Sequence, residues 1–379
     1  MKLFHELADV VVREEMQADP SVVEHVLDVE KKIIKKYSSK INPQIFSNIE
    51  NLSHLYHPIL DDVKKEFTLF EGAETILQSY ISCRENRGLY GENAIRGMFA
   101  GSLLECISMQ TDKHIEIDGQ GRIWNYLFYN VANARNFTLK NIQGDEILRG
   151  AAYHEGVLQN IQIESCIGNG LLQNAANEKG RIENILLRNI LGNNTLLYSG
   201  LQGGIMRNIT LQKMQGGYIL GAAGDTGGHI QRVYISEIEG PDNLLSAGIN
   251  NAYVDGLIIL QSRGDRLLKN FAAHEGNVKN ILVHESESGG ILSNLGNVRK
   301  AEHIVVSSTI GKEIITDTHY KGVCNAVLRD SNLQEYHKRI IAEIKTLVET
   351  MHEYTITQRP AVYEKIAALQ ESLFSEEKQ

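Results

Sequence analysis

A 24-residue period runs through the middle of this 379-residue chain, and it limits the fold more than any other feature. Rows beginning at Ala132, Gly156, Gly180, Gly204, Gly228, Ala252 and Gly276 bring like residues into columns. The third column reads Ala134, Leu158, Ile182, Met206, Ile230, Val254, Val278. The sixth reads Phe137, Ile161, Ile185, Ile209, Val233, Leu257, Ile281, and the eighth Leu139, Ile163, Leu187, Leu211, Ile235, Ile259, Val283. Column thirteen is Gly from Gly144 to Gly264 and then slips to Gly289. Column seventeen is Leu in every row, from Leu148 to Leu292, and column twenty-one is always Ala or Gly, from Ala152 to Gly296. A further row starts one residue early at Arg299, with Ile304, Val306, Gly311 and Ile315.

Apolar residues at columns three, six and eight, separated by polar ones, predict a strand with one buried face. The Gly column predicts a corner, and the Leu column a second buried strand ending in a tight bend of small residues. Helical repeats would need a 3.6-residue period, which frequent Gly opposes. The expectation is a parallel β-solenoid with one coil per row. Column twelve (Gln143, Ile167, Leu191, Gln215, Glu239, Arg263) lacks the apolar residues of a left-handed six-residue period, which favours the right-handed form. The composition agrees: the chain has 33 Gly but only 5 Pro, and Pro is excluded where a strand amide must pair with the next coil.

Column five carries Asn136, Asn160, Asn184 and Asn208 in successive coils. Stacked at ~4.8 Å, their amides predict an internal hydrogen-bonded ladder. It ends at Arg232 and Gly256 and returns at Asn280. The Asn-Ile-x-Leu-x-Asn-x-x-Gly cadence from Asn184 to Gly192, and the run from Ile115 to Gly121, resemble the right-handed parallel β-helix, or pectin-lyase-like, superfamily. The resemblance covers roughly residues 100–323. It implies a fold and leaves function open, because that superfamily includes lyases, hydrolases, adhesins and inert scaffolds.

The ends lack the repeat. Val22, Val23, Val26, Leu27, Ile33 and Ile34 follow a helical stripe after Pro20-Ser21, and a second helical stretch is expected from Pro43 to about Tyr80, broken or kinked at Pro58. Leu333–Tyr354 predicts another helix, and Pro360 opens a last one through Leu373, ahead of a frayed tail from Ser375. The expected division is therefore a helical region at 1–90, a parallel β-helix at 91–323 and a helical region at 324–379. Both helical regions are expected to cap the solenoid.

The formal net charge of −9 argues against a nucleic-acid partner or an anionic membrane surface. The first residues carry no signal-peptide pattern, and Cys83, Cys106, Cys166 and Cys324 form no CxxC pair, so a cytoplasmic location is expected. In the outward columns seven and nine no two carboxylates occupy neighbouring rows, so the paired acids of a glycosidase are not evident. No Gly-His-Gly or Arg-Ile-Lys motif is present, and no acid cluster suggests calcium. Column seven turns apolar late: Tyr234, Ile258, Leu282 and Val305, beside Leu260, form a stripe that predicts docking of a terminal helix or another subunit.

The phrases around His154-Glu155-Gly156 and His274-Glu275-Gly276 lie five coils apart, roughly 24 Å, so their histidines cannot share a centre. Tyr153, His154, Asp225 and His229 are the candidate residues for chemistry, the last two flanking a Gly-rich corner. His54 and His57 lack a third ligand for zinc. The reading is a non-enzymatic scaffold or self-assembling protein without cofactor or metal, whose partner is a protein, including itself. The alternatives are a polysaccharide-binding or polysaccharide-cleaving β-helix, and a scaffold with the helix–solenoid–helix layout of iron–sulfur assembly proteins.

Overall fold

A computed structural model of the chain describes residues 18–41, 50–67, 73–87, 91–272, 274–288, 300–309, 324–329, 331 and 333–374. The N-terminal helices are α1 (Pro20–Tyr37), α2 (Glu50–Glu66), α3 (Ala73–Ser82) and α4 (Glu92–Gln110). Asp19 caps α1 by accepting from the Ser21 amide, and Pro20 sits at its first turn, where no amide donor is needed. Glu30, buried on the same helix, pairs with Arg84 at 3.0 Å and Arg96 at 2.6 Å, binding α1 to the segments around it. Pro58 lies inside α2 rather than ending it; buried Leu55, Tyr56, Ile59 and Val63 anchor the helix on both sides of the proline. Residues 42–49, part of the expected second stretch, lie outside the described residues.

Helix α4 occupies residues assigned from the sequence to the solenoid. It is buried all round, with nearly every residue from Ala94 to Ser108 out of solvent, so it shows no amphipathic stripe. Gly97 is needed there, because a β-carbon would stand 1.9 Å from the Tyr126 carbonyl oxygen. The helices close the first coil. The Gln78 amide donates to the Asp118 carbonyl at 2.9 Å and accepts from the Asp118 amide at 2.6 Å, imitating a neighbouring strand. Buried Glu105 accepts from the Asn133 amide at 3.1 Å and from the Tyr56 hydroxyl at 2.8 Å.

The solenoid strands are β1 (Ile115–Asp118), β2 (Asn133–Gln143), β3 (Val157–Ile167), β4 (Arg181–Leu191), β5 (Ile205–Gln215), β6 (His229–Ile230), β7 (Val233–Ile235), β8 (Ile238–Glu239), β9 (Tyr253–Ile259), β10 (Ser262–Gly264), β11 (Asn277–His284), β12 (Ser286–Ser288), β13 (Lys300–Ser307) and β14 (Cys324–Arg329). Every pairing is parallel, and each coil stacks on its predecessor. Phe137, Ile161, Ile185 and Ile209 stand opposite one another in turn, 24 residues apart. The step falls to 23 between Ile281, Ile304 and Val327, matching the row that begins early. Strand β14 carries the sheet past residue 323, into the region expected to be helical.

The strands of β2–β5 bend where the column-five Asn takes a left-handed conformation, φ 54–56°. Asn adopts this region more readily than most residues, which explains its recurrence. At the corner, a β-carbon on Gly168 would lie 1.8 Å from the Gly144 carbonyl oxygen; only glycine lets the coils approach.

The Leu column does not form a second strand. From column fifteen to column twenty-three every second residue is left-handed, as at Glu146, Leu148, Gly150, Ala152 and His154. The amides alternate in direction: Glu146 and Gly150 donate to Asn169 and Gln173 in the next coil, Leu148 and Ala152 to Leu127 and Val131 in the previous one. This turn wall stitches the coils together as strands do and also alternates with period two, which is why its columns read as β.

The C-terminal helices α5 (Glu335–Glu349) and α6 (Arg359–Ser372) lie along the side of the solenoid instead of closing its end. Helix α6 climbs from coil to coil. Arg359 meets Gln162, the Tyr363 hydroxyl meets Thr210 at 3.2 Å, Glu364 pairs with Arg232 at 2.6 Å, and Phe374 stacks on His303 at 4.2 Å. A rise of ~1.5 Å per helical residue against ~4.8 Å per coil gives about three residues per coil, close to one helical turn. One side of α6 therefore presents a side chain to each successive coil. No helix among the described residues is long and apolar enough to cross a membrane.

Candidate functional site

The apolar stripe is covered by the C-terminal hairpin. Tyr234, Ile258, Leu260, Leu282 and Val305 form one buried cluster with Ile341, Ile344, Val348, Met351, Val362, Tyr363 and Ile366. Tyr234 and Tyr363 stack 5.7 Å apart and nearly parallel, and burial raises both hydroxyl pKa values, that of Tyr363 to about 12. The seam has polar flaws: Tyr234 Oη, Gln212 Oε1 and Arg359 Nη1 are buried with no hydrogen-bond partner among the described residues.

The asparagine ladder is continuous over four coils. Asn160 donates to Asn136 Oδ1 at 2.9 Å, Asn184 to Asn160 at 2.9 Å, and Asn208 to Asn184 at 2.8 Å. Asn208 Oδ1 is left without a partner where Arg232 interrupts the column. The interruption has a structural cause: Arg232 turns to Glu364, and at Gly256 the Gln370 side chain of α6 fills the space a side chain would occupy. The Gln370 amide donates toward the carbonyls of Leu257 and Asn280, and His303 then meets Asn280 at 2.9 Å.

The four residues proposed for chemistry separate into two corners, three coils or about 14 Å apart. At the first, the Tyr153 hydroxyl donates to Glu178 at 2.6 Å and His154 Nδ1 lies 2.5 Å from the other oxygen of the same carboxylate. At the second, His229 turns away from Asp225 to pair with Asp255 at 2.7 Å, its ring edge to Tyr253. Asp225 accepts from Asn250 at 2.7 Å. Each histidine is thus oriented by its own carboxylate, and the two pairs belong to separate corners. His54 and His57 are exposed on α2, and no group of three or more metal-ligating side chains forms among the described residues. Burial pushes the Cys106 thiol up to about 11 and that of Cys166 to about 12, away from the thiolate a cluster ligand requires.

Sequence reasoning missed a second ladder at column fourteen. The Asn169 amide donates to Asp145 Oδ1 at 2.8 Å, the Asn193 amide to Asn169 at 3.0 Å, and the Gly217 amide to Asn193 at 2.8 Å. Its signal was the Asp/Asn run immediately after the corner Gly. Column nine also alternates in sign from Lys140 through Glu164 to Arg188, with Glu164 paired to Arg188 at 3.5 Å, while Lys140 reaches diagonally to Glu116, which stands opposite Thr138, at 3.0 Å. Polar residues on these faces are largely used in joining one coil to the next. Comparison of the chain with protein-family models, curated proteins and solved structures finds no match to any of the three.

Proposed function

We propose that this chain is a non-catalytic β-solenoid scaffold of the cytoplasm that works by presenting rigid faces to protein partners, including copies of itself. The observation that carries this reading is the use of polar side chains: asparagine, aspartate and ion-pair columns join neighbouring coils, and the two histidine–carboxylate corners stand apart. A lateral helical hairpin stiffens the rod further. The test is to screen neutral and acidic oligosaccharides for turnover by the full chain while its mass is followed by light scattering. Self-association without turnover supports the scaffold; turnover abolished by His154→Ala or by His229→Ala refutes it.

A polysaccharide-binding role is the second reading, favoured by one feature. The Tyr253 ring is 51 % exposed beside the His229–Asp255 pair, an aromatic platform with polar neighbours of the kind a sugar ring can stack on. Oligosaccharide affinity lost in Tyr253→Ala would favour it.

A further inference from the structure

Two tyrosines depart from the pattern of the turn wall. Its left-handed column nineteen holds Gly150, Asn174, Ala222, Ser246 and Asn270 in other coils, but Tyr198 in one, at φ 56°. Column fifteen holds Tyr218 at φ 59°, where the neighbouring coils have Asn194 and Asp242. A bulky side chain is strained in this region, and strain without a local return gathers at functional surfaces. Here there is no local return, because the rings are 45 % and 42 % exposed.

Gly221 joins the two. Its amide donates to the Tyr218 carbonyl at 3.1 Å, and its carbonyl accepts from the Tyr198 amide at 2.9 Å. A β-carbon at Gly221 would lie 2.8 Å from Leu197 Cδ1, so glycine lets the Leu197 side chain lie against the wall beside Tyr218.

We propose that this wall binds a second copy of the chain, face to face and antiparallel, with the two-fold axis between the coils of Tyr198 and Tyr218. The proposal rests on the scaffold reading and gives it a surface. Such an axis preserves columns and reverses coils, so the patch becomes self-complementary. The Tyr198 ring then covers the partner's Ala222, a large group over a small one, and Tyr218 meets the partner's Asn194. Five coils apart on the same column, Glu146 comes opposite the partner's Arg266, an acid facing a base at both rims. Within one chain these two already pair with Arg149 and Asp242, so dimerisation extends existing ion pairs into a network.

The test is sedimentation and oxidative cross-linking of the full chain. The wild type is expected at twice its 42.4 kDa mass, and Tyr198→Glu should weaken association by at least about tenfold without changing the circular dichroism. Glu146→Cys combined with Arg266→Cys should yield a disulfide-linked dimer beyond the wild-type background. Neither single variant should do so, since like positions then lie roughly 24 Å apart. Association unaffected by Tyr198→Glu, with no cross-link in the double variant, overturns this surface but leaves self-association through another. A wild type that stays monomeric at its highest soluble concentration overturns both this interface and the self-assembling form of the scaffold reading.

Discussion

Replacing Asn184 tests whether the column-five ladder stabilises the solenoid or merely follows from its repeat. Asn184 donates to Asn160 and accepts from Asn208, at 2.9 and 2.8 Å, and its backbone is left-handed at φ 56°. Asn184→Ala removes two hydrogen bonds, about 1 kcal/mol each. It also puts a β-carbon without a compensating amide into the left-handed region, about 1 kcal/mol more, for a total near 3 kcal/mol. Asn184→Gly loses the same bonds but avoids the left-handed strain. Its greater unfolded-state entropy gives back about half of that relief, so it should be more stable than the alanine variant by roughly 0.5–1 kcal/mol. Asn208→Ala should cost only about 2 kcal/mol, because its Oδ1 has no partner to lose. The assay is urea unfolding followed by far-ultraviolet circular dichroism and by fluorescence of Trp124, the single tryptophan, which is buried against the N-terminal helices. Coincident transitions validate the free energies. A cost below about 1 kcal/mol for Asn184→Ala, or equal costs for the middle and end positions, would refute the ladder argument.

Three further outcomes follow from the geometry. Gly168→Ala should abolish folding as judged by circular dichroism, since its β-carbon would enter a neighbouring carbonyl, whereas Gly203→Ala, with its nearest atom 3.8 Å away, should cost only about 1–2 kcal/mol. Gln370→Ala should destabilise by about 1 kcal/mol and speed hydrogen exchange in residues 256–282, where the amide substitutes for the missing ladder member; unchanged exchange would count against that role. Burial holds the His337 imidazole below its usual 6.5, and Nδ1 accepts from the Gln334 amide at the start of α5. The unfolded chain then takes up the proton first as pH falls. Stability should be full above 6.5, decline as pH falls from there through the lowered folded value, and level off below it. Urea midpoints across this range measure the decline, and His337→Gln should make it shallower.

What could be read from the sequence depended on how each feature is specified. The coil repeat was legible because stacking forces like residues into columns, and Ile161, Ile185 and Ile209 meet at the spacing their positions demand. The apolar stripe was legible as a surface needing cover, since Tyr234, Ile258 and Leu282 follow one another in a column that earlier holds Thr138, Gln162 and Thr210, with Leu186 the one apolar member among them. The turn wall was misread because alternating handedness and alternating strand faces both have period two; Leu148 and Leu172 sit at positive φ, which their side chains do not advertise. Helix α4 was invisible for the opposite reason, being buried on every side and so lacking any period. The ladder break at Arg232 and Gly256 was visible, but its cause lay more than a hundred residues away in Glu364 and Gln370.

Hydrogen exchange of the turn wall most directly tests the account of how the coils are held together. If residues 144–152 and their counterparts through Ala272 are stitched to both neighbouring coils, their amides should be protected to the same degree as those of β3 and β4. Wall amides that exchange at the rate of open surface loops, while the strands stay protected, would contradict it.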